Sequence, residues 1–477
     1  MPKKIITRFP PSPTGFVHVG SLRTALYNYL FAKKNKGKFL LRIEDTDRER
    51  IVAGAVENLI NTLNQFGLNW DNKKPMIQSE RLDQYQKTAE KLAKEGKAYY
   101  CFCSKERLDN LRKIQQQKGR PPMYDGACQN LSTAEIKSKL DAKESYVIRF
   151  KMPKTGQTEF IDLIRGQVIF DNKLLDDPII LKSDGFPTYH LASIVDDHEM
   201  AVSHVIRGEE WLPSTPKHIL IYQALGWELP EFAHLPLLLN PDRSKLSKRQ
   251  GDVAVEDFLK KGYLPEALLN FVLLLGWNPG TDQEIFSLEE MIKVFDLKKV
   301  NKSGAIFDSQ KLDWLNGHYI RQKSLAELAK LCQPFFAEAG VNSDLKHLEK
   351  IIATEKERIK KISDIIEATE FFFKEPKYEP KLLLWKKLGK NEVAENLKNL
   401  KKFLENFSEK KWDQKDLESE IIGWIKEKGL GVGDILWPMR VALSGQKASP
   451  GPFEIAEVLG KNESLNRIQK AINLLGK

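Results

Sequence analysis

Two short stretches of the 477-residue chain carry side chains of the kind that handle phosphate. In "RFPPSPTGFVHVGSLRTALYNYLF" (8–31), His18 stands between Gly15 and Gly20, directly before a run with helical spacing. Far downstream, "NPDRSKLSKRQGD" (240–252) packs Arg243, Lys245, Lys248 and Arg249 around one apolar residue, Leu246. Glycines let a flat ligand approach the backbone, and an imidazole donates a hydrogen bond without a permanent charge. Lysines can hold an anionic leaving group. Taken alone, the first stretch reads as a turn and the second as a solvated basic face. Their occurrence together shifts the balance away from those ordinary readings. A third group, Cys101, Cys103 and Cys128, has the residue type of a metal site, and Tyr124 lies between its halves.

These side chains need elements to position them. "KKIITRF" (3–9) reads as a short strand stopped by Pro10 and Pro11. Leu22, Ala25, Leu26, Tyr29 and Leu30 recur at helical spacing, with Ser21 available as N-cap. "FLLRIED" (39–45) reads as a buried strand closing on acids, so the order predicts a βαβ unit with His18 at the strand-to-helix junction. There, backbone N–H groups and the helix dipole favour an anion. Two helical segments follow. Near Tyr99 the texture turns loop-rich, with strand-like "SYVIRFKM" and "QVIFDNKLLDDPIILKSDG", before "PTYHLASIVDDHEM" and "VSHVIRGEEWL" return to an α/β pattern. From about Ser324 the pattern is almost wholly helical, with lysines on the polar faces.

A chain of this length needs several folding units. Lys and Arg number 75 against 65 Asp and Glu, a formal charge of +10 that admits a polyanionic partner without being a simple basic tail. No apolar run reaches bilayer-crossing length. The start "MPKKIITRF" has no apolar region behind its lysines, so no secretory signal is expected and a cytoplasmic place is. Four cysteines are too few for a disulfide framework.

The pair "HVGS" and "KLSKR" resembles the two signatures of class I aminoacyl-tRNA synthetases, usually written His-Ile-Gly-His and Lys-Met-Ser-Lys-Ser. "RFPPSPTG", "LRIEDTDRER", "KSDGFPTYHLASIVDDHEM" and "VIRGEEWLPSTPKH" narrow the resemblance to bacterial-type glutamyl-tRNA synthetases, from about residue 6 to the end. The resemblance implies an α/β plus all-α chain. Its parts would be a discontinuous Rossmann-like catalytic domain (1–98 and 188–241) and an inserted α+β domain for the tRNA acceptor end (99–187). A stem-contact domain with the "KLSKR" loop (242–323) and two helical anticodon-binding domains (324–378 and 379–477) would follow. It further implies a cytoplasmic monomer that activates L-glutamate with ATP and transfers it to the 3′ end of tRNA(Glu), releasing AMP and pyrophosphate.

By the same resemblance His18, Lys245 and Lys248 are the catalytic set. ATP would meet His18, Gly20, Ser21, Glu210, Trp211, Lys245 and Lys248, and glutamate would meet Arg8, Ser12, Glu44, Tyr189 and Arg207. Mg2+ would arrive on the ATP phosphates. Arg358, in "EKERIKKISD", falls near a position that reads an anticodon base in some relatives. Trp385, Trp412 and Trp437 are candidates for stacking on bases, with core packing the ordinary alternative. Ser193 stands where some relatives carry asparagine. The cysteines resemble a zinc knuckle whose fourth ligand is commonly a histidine; here that position is Asn130. No resident metal is therefore expected, although Tyr124 or water is able to complete a tetrahedron.

Alternatives stay open at this point. One is an enzyme that also charges tRNA(Gln), and another is a non-catalytic tRNA-binding protein on the same scaffold. Glutaminyl-tRNA synthetases have C-terminal β-barrels, which the helical tail here opposes, and the shortened paralogues that modify a tRNA base lack anticodon domains.

Overall fold

The structure, a computed structural model, describes residues 4–246 and 254–476. The chain forms two compact units: Met1–Leu259 with Leu268–Ser309, and Lys260–Ala267 with Gln310–Lys477.

In the first unit, the strand Ile6–Phe9 pairs in parallel with Lys38–Ile43, which pairs in parallel with Met76–Ile77. The expected βαβ unit is present. A second sheet has the order Gly166–Asp171, Gln157–Asp162, Glu231–Leu235, His204–Gly208. The two sheets meet where Ser203 N–H donates to Ile6 O (2.9 Å) and Ile6 N–H donates to Ser203 Oγ (2.8 Å). Ile6–Phe9 therefore has a crossover partner on one side and a strand from two hundred residues later on the other. In open α/β sheets, ligands bind outside the carboxyl ends of strands at such a reversal of order. Here those ends release 10–18 and 209–214.

The helix after the first loop runs Val19–Lys34, three residues longer at its start than the apolar spacing from Leu22 predicts. His18, not Ser21, is its N-cap: the imidazole Nδ1 accepts the Gly20 N–H at 2.9 Å. The helix is buried on nearly every side, and several of its polar groups find partners inside. Tyr27 Oη donates to Leu273 O (2.9 Å), and Asn28 Nδ2 donates to Ile206 O (3.0 Å).

The region after Tyr99 is not isolated from this scaffold. Ala98–Cys101, Val147–Phe150 and Ile179–Leu181 form an antiparallel sheet whose core is shared with Tyr85, Ala89 and Leu92 before it and Leu191, Ile194 and Ile221 after it. The hairpin 157–171 is hydrogen-bonded into the second sheet through Phe232 and Asp162.

The second unit is helical, as the pattern from Ser324 predicts. Ser324 opens the helix Leu325–Glu338 with a capping box to Glu327. Helices Lys390–Glu405, Gln414–Glu427, Val432–Ser444 and Pro452–Leu475 enclose Leu397, Leu400, Ile421, Met439 and Ile468. The three tryptophans take the packing role: Trp412 Nε1 donates to Ala456 O (2.8 Å), Trp437 Nε1 to Leu382 O (2.9 Å), and Trp385 lies 4.8 Å from the Trp437 ring.

Two glycines test this packing in opposite directions. A Cβ at Gly37 would stand 2.2 Å from Ile5 O, so Gly37→Ala must displace the first strand and should cost about 1–3 kcal/mol. Gly423 lies in a helix interior with nothing within 4 Å, so Gly423→Ala should stabilise its unit by about 0.5–1 kcal/mol. Amide hydrogen exchange of each unit reads both; equal effects would contradict the packing.

Candidate active site

The loop after Phe9 is held at several points. Glu44 N–H donates to Pro11 O (2.9 Å), Val52 N–H to Pro13 O (2.9 Å), and Val255 N–H to Val17 O (2.8 Å). Gly15 has φ 151°, a conformation that L residues rarely adopt. His18 follows. Because its Nδ1 accepts the Gly20 N–H, the neutral ring carries its proton on Nε2, the nitrogen suited to donate to an oxyanion. A Cβ on Gly20 would come 3.3 Å from that Nδ1, so the glycine leaves room for the ring itself.

The distant basic stretch begins and ends at this turn. Its first limb leaves Leu238–Leu239, whose Leu238 Cδ1 would lie 3.7 Å from a Gly20 Cβ; Leu246 N–H then returns to Leu238 O (2.9 Å), and Lys245 bridges Leu239. The far limb arrives at Ala254, which bridges His18. Asn58 secures it, accepting from Val17 N–H and donating to Glu256. Lys245 is exposed; Lys248 lies outside the described residues. Ser21 lines a cavity of about 200 Å³ together with Ser12 and His18.

Behind the loop lies a buried lattice of charge. Arg8 Nε donates to Asp197 Oδ1 (3.0 Å), and Arg42 NH1 donates to the same oxygen (2.6 Å). Arg42 NH2 donates to Glu44 Oε1 (2.9 Å), and Arg81 and Tyr85 donate to Asp196. Burial works against ionisation of Asp197, but the guanidinium groups of Arg8 and Arg42 outweigh it and hold the carboxyl below its usual range. Burial raises Glu44, with Arg42 opposing. Arg8 differs from its neighbours in one respect. Its side chain is fully buried, and NH1 and NH2 have no partner.

Arg207 is the opposite case. All five of its N–H groups meet protein acceptors: His234 Nε2 (3.1 Å), Tyr189 Oη (2.9 Å), His218 Nδ1 (3.2 Å), Thr215 Oγ1 (2.9 Å) and Trp211 O (3.5 Å). The resemblance places Arg207 against glutamate; in the structure its N–H groups face these protein acceptors, with Trp211 O at the limit of bonding distance. It holds Tyr189, whose ring lies 4.1 Å from that of Trp211.

A cleft of about 700 Å³ gathers Ser12, Glu44, Tyr189 and Trp211 from the sequence-derived set, with Thr14, Gln78 and Thr188. Glu210 is exposed beside Gly208. Ser193 Oγ donates to Tyr189 O (2.6 Å), which satisfies it within its own helix. Arg358 belongs to the second unit, where NH1 pairs with Glu355 Oε1 at 3.1 Å and the side chain stays 41% exposed. Sequence reasoning did not single out Arg42, Asp197, His218 or His234. The available signal was a charged or imidazole side chain inside an otherwise apolar strand or helix.

The sulfurs of Cys101, Cys103 and Cys128 lie within 4.8 Å of one another. Tyr124 Oη sits 3.4 Å from both Cys101 Sγ and Cys103 Sγ and accepts Cys128 N–H at 3.0 Å. Three thiols and a phenol on one centre suit a tetrahedral zinc ion, with Tyr124 rather than the residue at Asn130 as the fourth donor.

The family description "tRNA synthetases class I (E and Q), catalytic domain" matches residues 4–314, and "Anticodon binding domain" matches 327–472. The chain is 47% identical to the glutamate–tRNA ligase of Clostridium acetobutylicum, covering 99% of both chains. It is 48% identical to that of Clostridium tetani, over 99% of this chain and 98% of the relative. A solved glutamate tRNA ligase of Elizabethkingia meningosepticum, in complex with its amino acid, superposes with TM-score 0.90 at 39% identity, covering 99% of this chain and 100% of that one.

The Arg207 network sets an acid limit. Burial, then Lys217 and Arg207, pushes the His190 imidazole down to about 4; burial and Arg207 push His218 well below its ordinary value. The unfolded chain binds these protons below about pH 6.5, whereas the folded chain refuses them until far lower. Stability is therefore fully present above pH 6.5 and should fall between pH 6.5 and 4, by about 1.4 kcal/mol per pH unit for each proton withheld. Denaturant unfolding at pH 7.5, 6 and 5 should show this loss, and His190→Gln should flatten it.

Proposed function

This chain belongs to the class I tRNA synthetases, in the glutamate–tRNA ligase branch, and we propose that Arg8 is the group that recognises its amino acid. The enzyme couples ATP to the activation of L-glutamate and the charging of tRNA, with glutamyl-adenylate as the activated form and AMP and pyrophosphate as products. Mg2+ enters with the ATP phosphates as part of the substrate.

The observation that carries the assignment is the pair of unpartnered, buried nitrogens on Arg8. A buried donor without an acceptor costs about 1–3 kcal/mol, a cost that a carboxylate ligand removes. A guanidinium fork matches a carboxylate through two charge-assisted bonds, while glutamine offers one acceptor and one donor in the same space. Ser12, Glu44 and Tyr189 line the large cleft, and Glu44, which shares Arg42 and Asp197 with the Arg8 lattice, suits the substrate's ammonium group. Arg207 serves this set through Tyr189.

His18 would donate from Nε2 to the α-phosphate as charge develops, and Gly20, Ser21, Glu210 and Trp211 would accompany ATP. Lys245, whose bridge partner is Leu239, and Lys248, which lies outside the described residues, would hold the leaving pyrophosphate. No side-chain nucleophile is required. Binding to tRNA would extend to Arg358, which Glu355 orients at the surface of the second unit. The finer division into five functional segments, action as a cytoplasmic monomer, and preference for tRNA(Glu) over tRNA(Gln) belong to the same reading. Cys101, Cys103, Cys128 and Tyr124 would hold zinc, which would brace the strand Ala98–Cys101.

Arg8→Lys keeps the charge but loses the fork. It should lower kcat/KM for glutamate about a hundredfold or more while the KM for ATP stays within about threefold; equal losses for both substrates would sink the assignment. Charging assays with tRNA(Glu) and tRNA(Gln) decide specificity, and activity on both would overturn strict preference. Metal analysis of protein purified without added zinc should find one zinc per chain, and a sub-stoichiometric result would remove the metal from the cysteine cluster.

A further inference from the structure

Arg207 owns donors and no acceptor, so every atom that bonds it must offer a lone pair. That fixes hydrogen positions several bonds away. His234 Nε2 accepts from Arg207 Nε at 3.1 Å, which places the His234 proton on Nδ1, where it points at Asp162 Oδ2 at 2.6 Å. Asp162 is itself immobilised: Oδ1 accepts Ile164 N–H (2.9 Å) and Arg165 N–H (2.8 Å), and Oδ2 accepts His234 N–H (3.1 Å). On the other side, His218 Nδ1 accepts from Arg207 NH1, so its Nε2 proton points at His190 Nδ1 at 3.1 Å.

The same rule applies to Tyr189. Its hydroxyl accepts from Arg207 NH1, so its own proton must be directed elsewhere, and the side chain lines the large cleft. Tyr189 thus enters that cleft as a hydrogen-bond donor of fixed direction. If His234 carried its proton on Nε2, two donors would face each other across 3.1 Å, and Arg207 would have to move. The feature that forbids this tautomer is the Asp162 carboxylate.

We propose that Asp162 and His234 are positioning residues for amino-acid recognition, acting through Arg207 to fix the direction in which Tyr189 gives its hydroxyl proton to the substrate. Neither residue lines the cleft, and both are buried, Asp162 at 1% and His234 at 0% exposure. The chain of contact runs Asp162, His234, Arg207, Tyr189. It begins on the strand Gln157–Asp162, so a segment outside the first βαβ unit governs a group in the site. The inference rests on the proposed placement of glutamate beside Tyr189.

The test uses the full-length enzyme, charging tRNA(Glu) with glutamate and ATP varied separately. Tyr189→Phe should raise the glutamate KM about tenfold, and His234→Leu should do the same, with the ATP KM within about twofold throughout. The double variant should be no worse than Tyr189→Phe alone, because His234 acts only through the lost hydroxyl. His234→Gln, which keeps an acceptor for Arg207, should return to within about threefold of the parent. Should His234→Leu fail to fold, Asp162→Asn takes its place in the same cycle. Multiplicative losses in the double variant, or no rescue by His234→Gln, overturn the inference. If Tyr189→Phe leaves the glutamate KM unchanged, the placement of glutamate fails first. If Tyr189→Phe raises it and the His234 and Asp162 variants leave it unchanged, only the positioning role fails.

Discussion

One carboxylate oxygen, Asp197 Oδ1, accepts from two guanidinium groups that the fold has removed from water. Arg8 ends the first strand, Arg42 sits inside the second, and Asp197 is on the helix Tyr189–Glu199, so a single atom ties three elements from distant parts of the chain. Removing ions from water is expensive, and the lattice is tolerable only because each charge has an opposite within bonding distance. Everything facing the cleft inherits this order. Glu44 is held by Arg42, the loop before His18 is held by the Glu44 backbone, and the basic loop is held by the His18 turn.

Within that order, the accounting of donors distinguishes two arginines. Arg8 and Arg207 are the same residue type, and both are buried. Arg207 has an acceptor for every N–H, while Arg8 keeps two nitrogens unmatched. Single Nε groups of Arg23, Arg149 and Arg440 are also unmatched, but among the described residues only Arg8 leaves both terminal nitrogens of its fork so. The distinction also explains why two histidines, His218 and His234, meet Arg207 as neutral acceptors, since a cation cannot share that space with imidazolium.

Much of this architecture was legible in the sequence. β-forming residues stopped by prolines marked the first strand and its loop, and the helical pattern from about Ser324 marked the start of the helical unit. The pairing of "HVGS" with "KLSKR" pointed to segments whose surroundings meet, since His18 bridges Ala254 and Val255 N–H donates to Val17 O. Other features were not legible, for physical reasons. Histidine is not a preferred N-cap, so the helix start was misplaced until the Nδ1 contact was seen. Strand partners far apart in sequence leave no local trace, which hid the pairing of 157–171 with Glu231–Leu235. Arg42 and His234 sit in apolar strands that periodicity reads as core. For Arg207 the residue type was informative, but the number of its acceptors is a property of packing alone. The tryptophans show the same limit, since an indole suits a base or a core equally well.

Leu238 stands against Gly20 and Ala254 bridges His18, so the described limbs on both sides of the basic stretch come to the turn that carries the imidazole. The residue that caps the helix Val19–Lys34 is therefore also a rung between two segments far apart in the chain. A shift of that turn carries the helix start and both limbs with it, so they behave as one mechanical part.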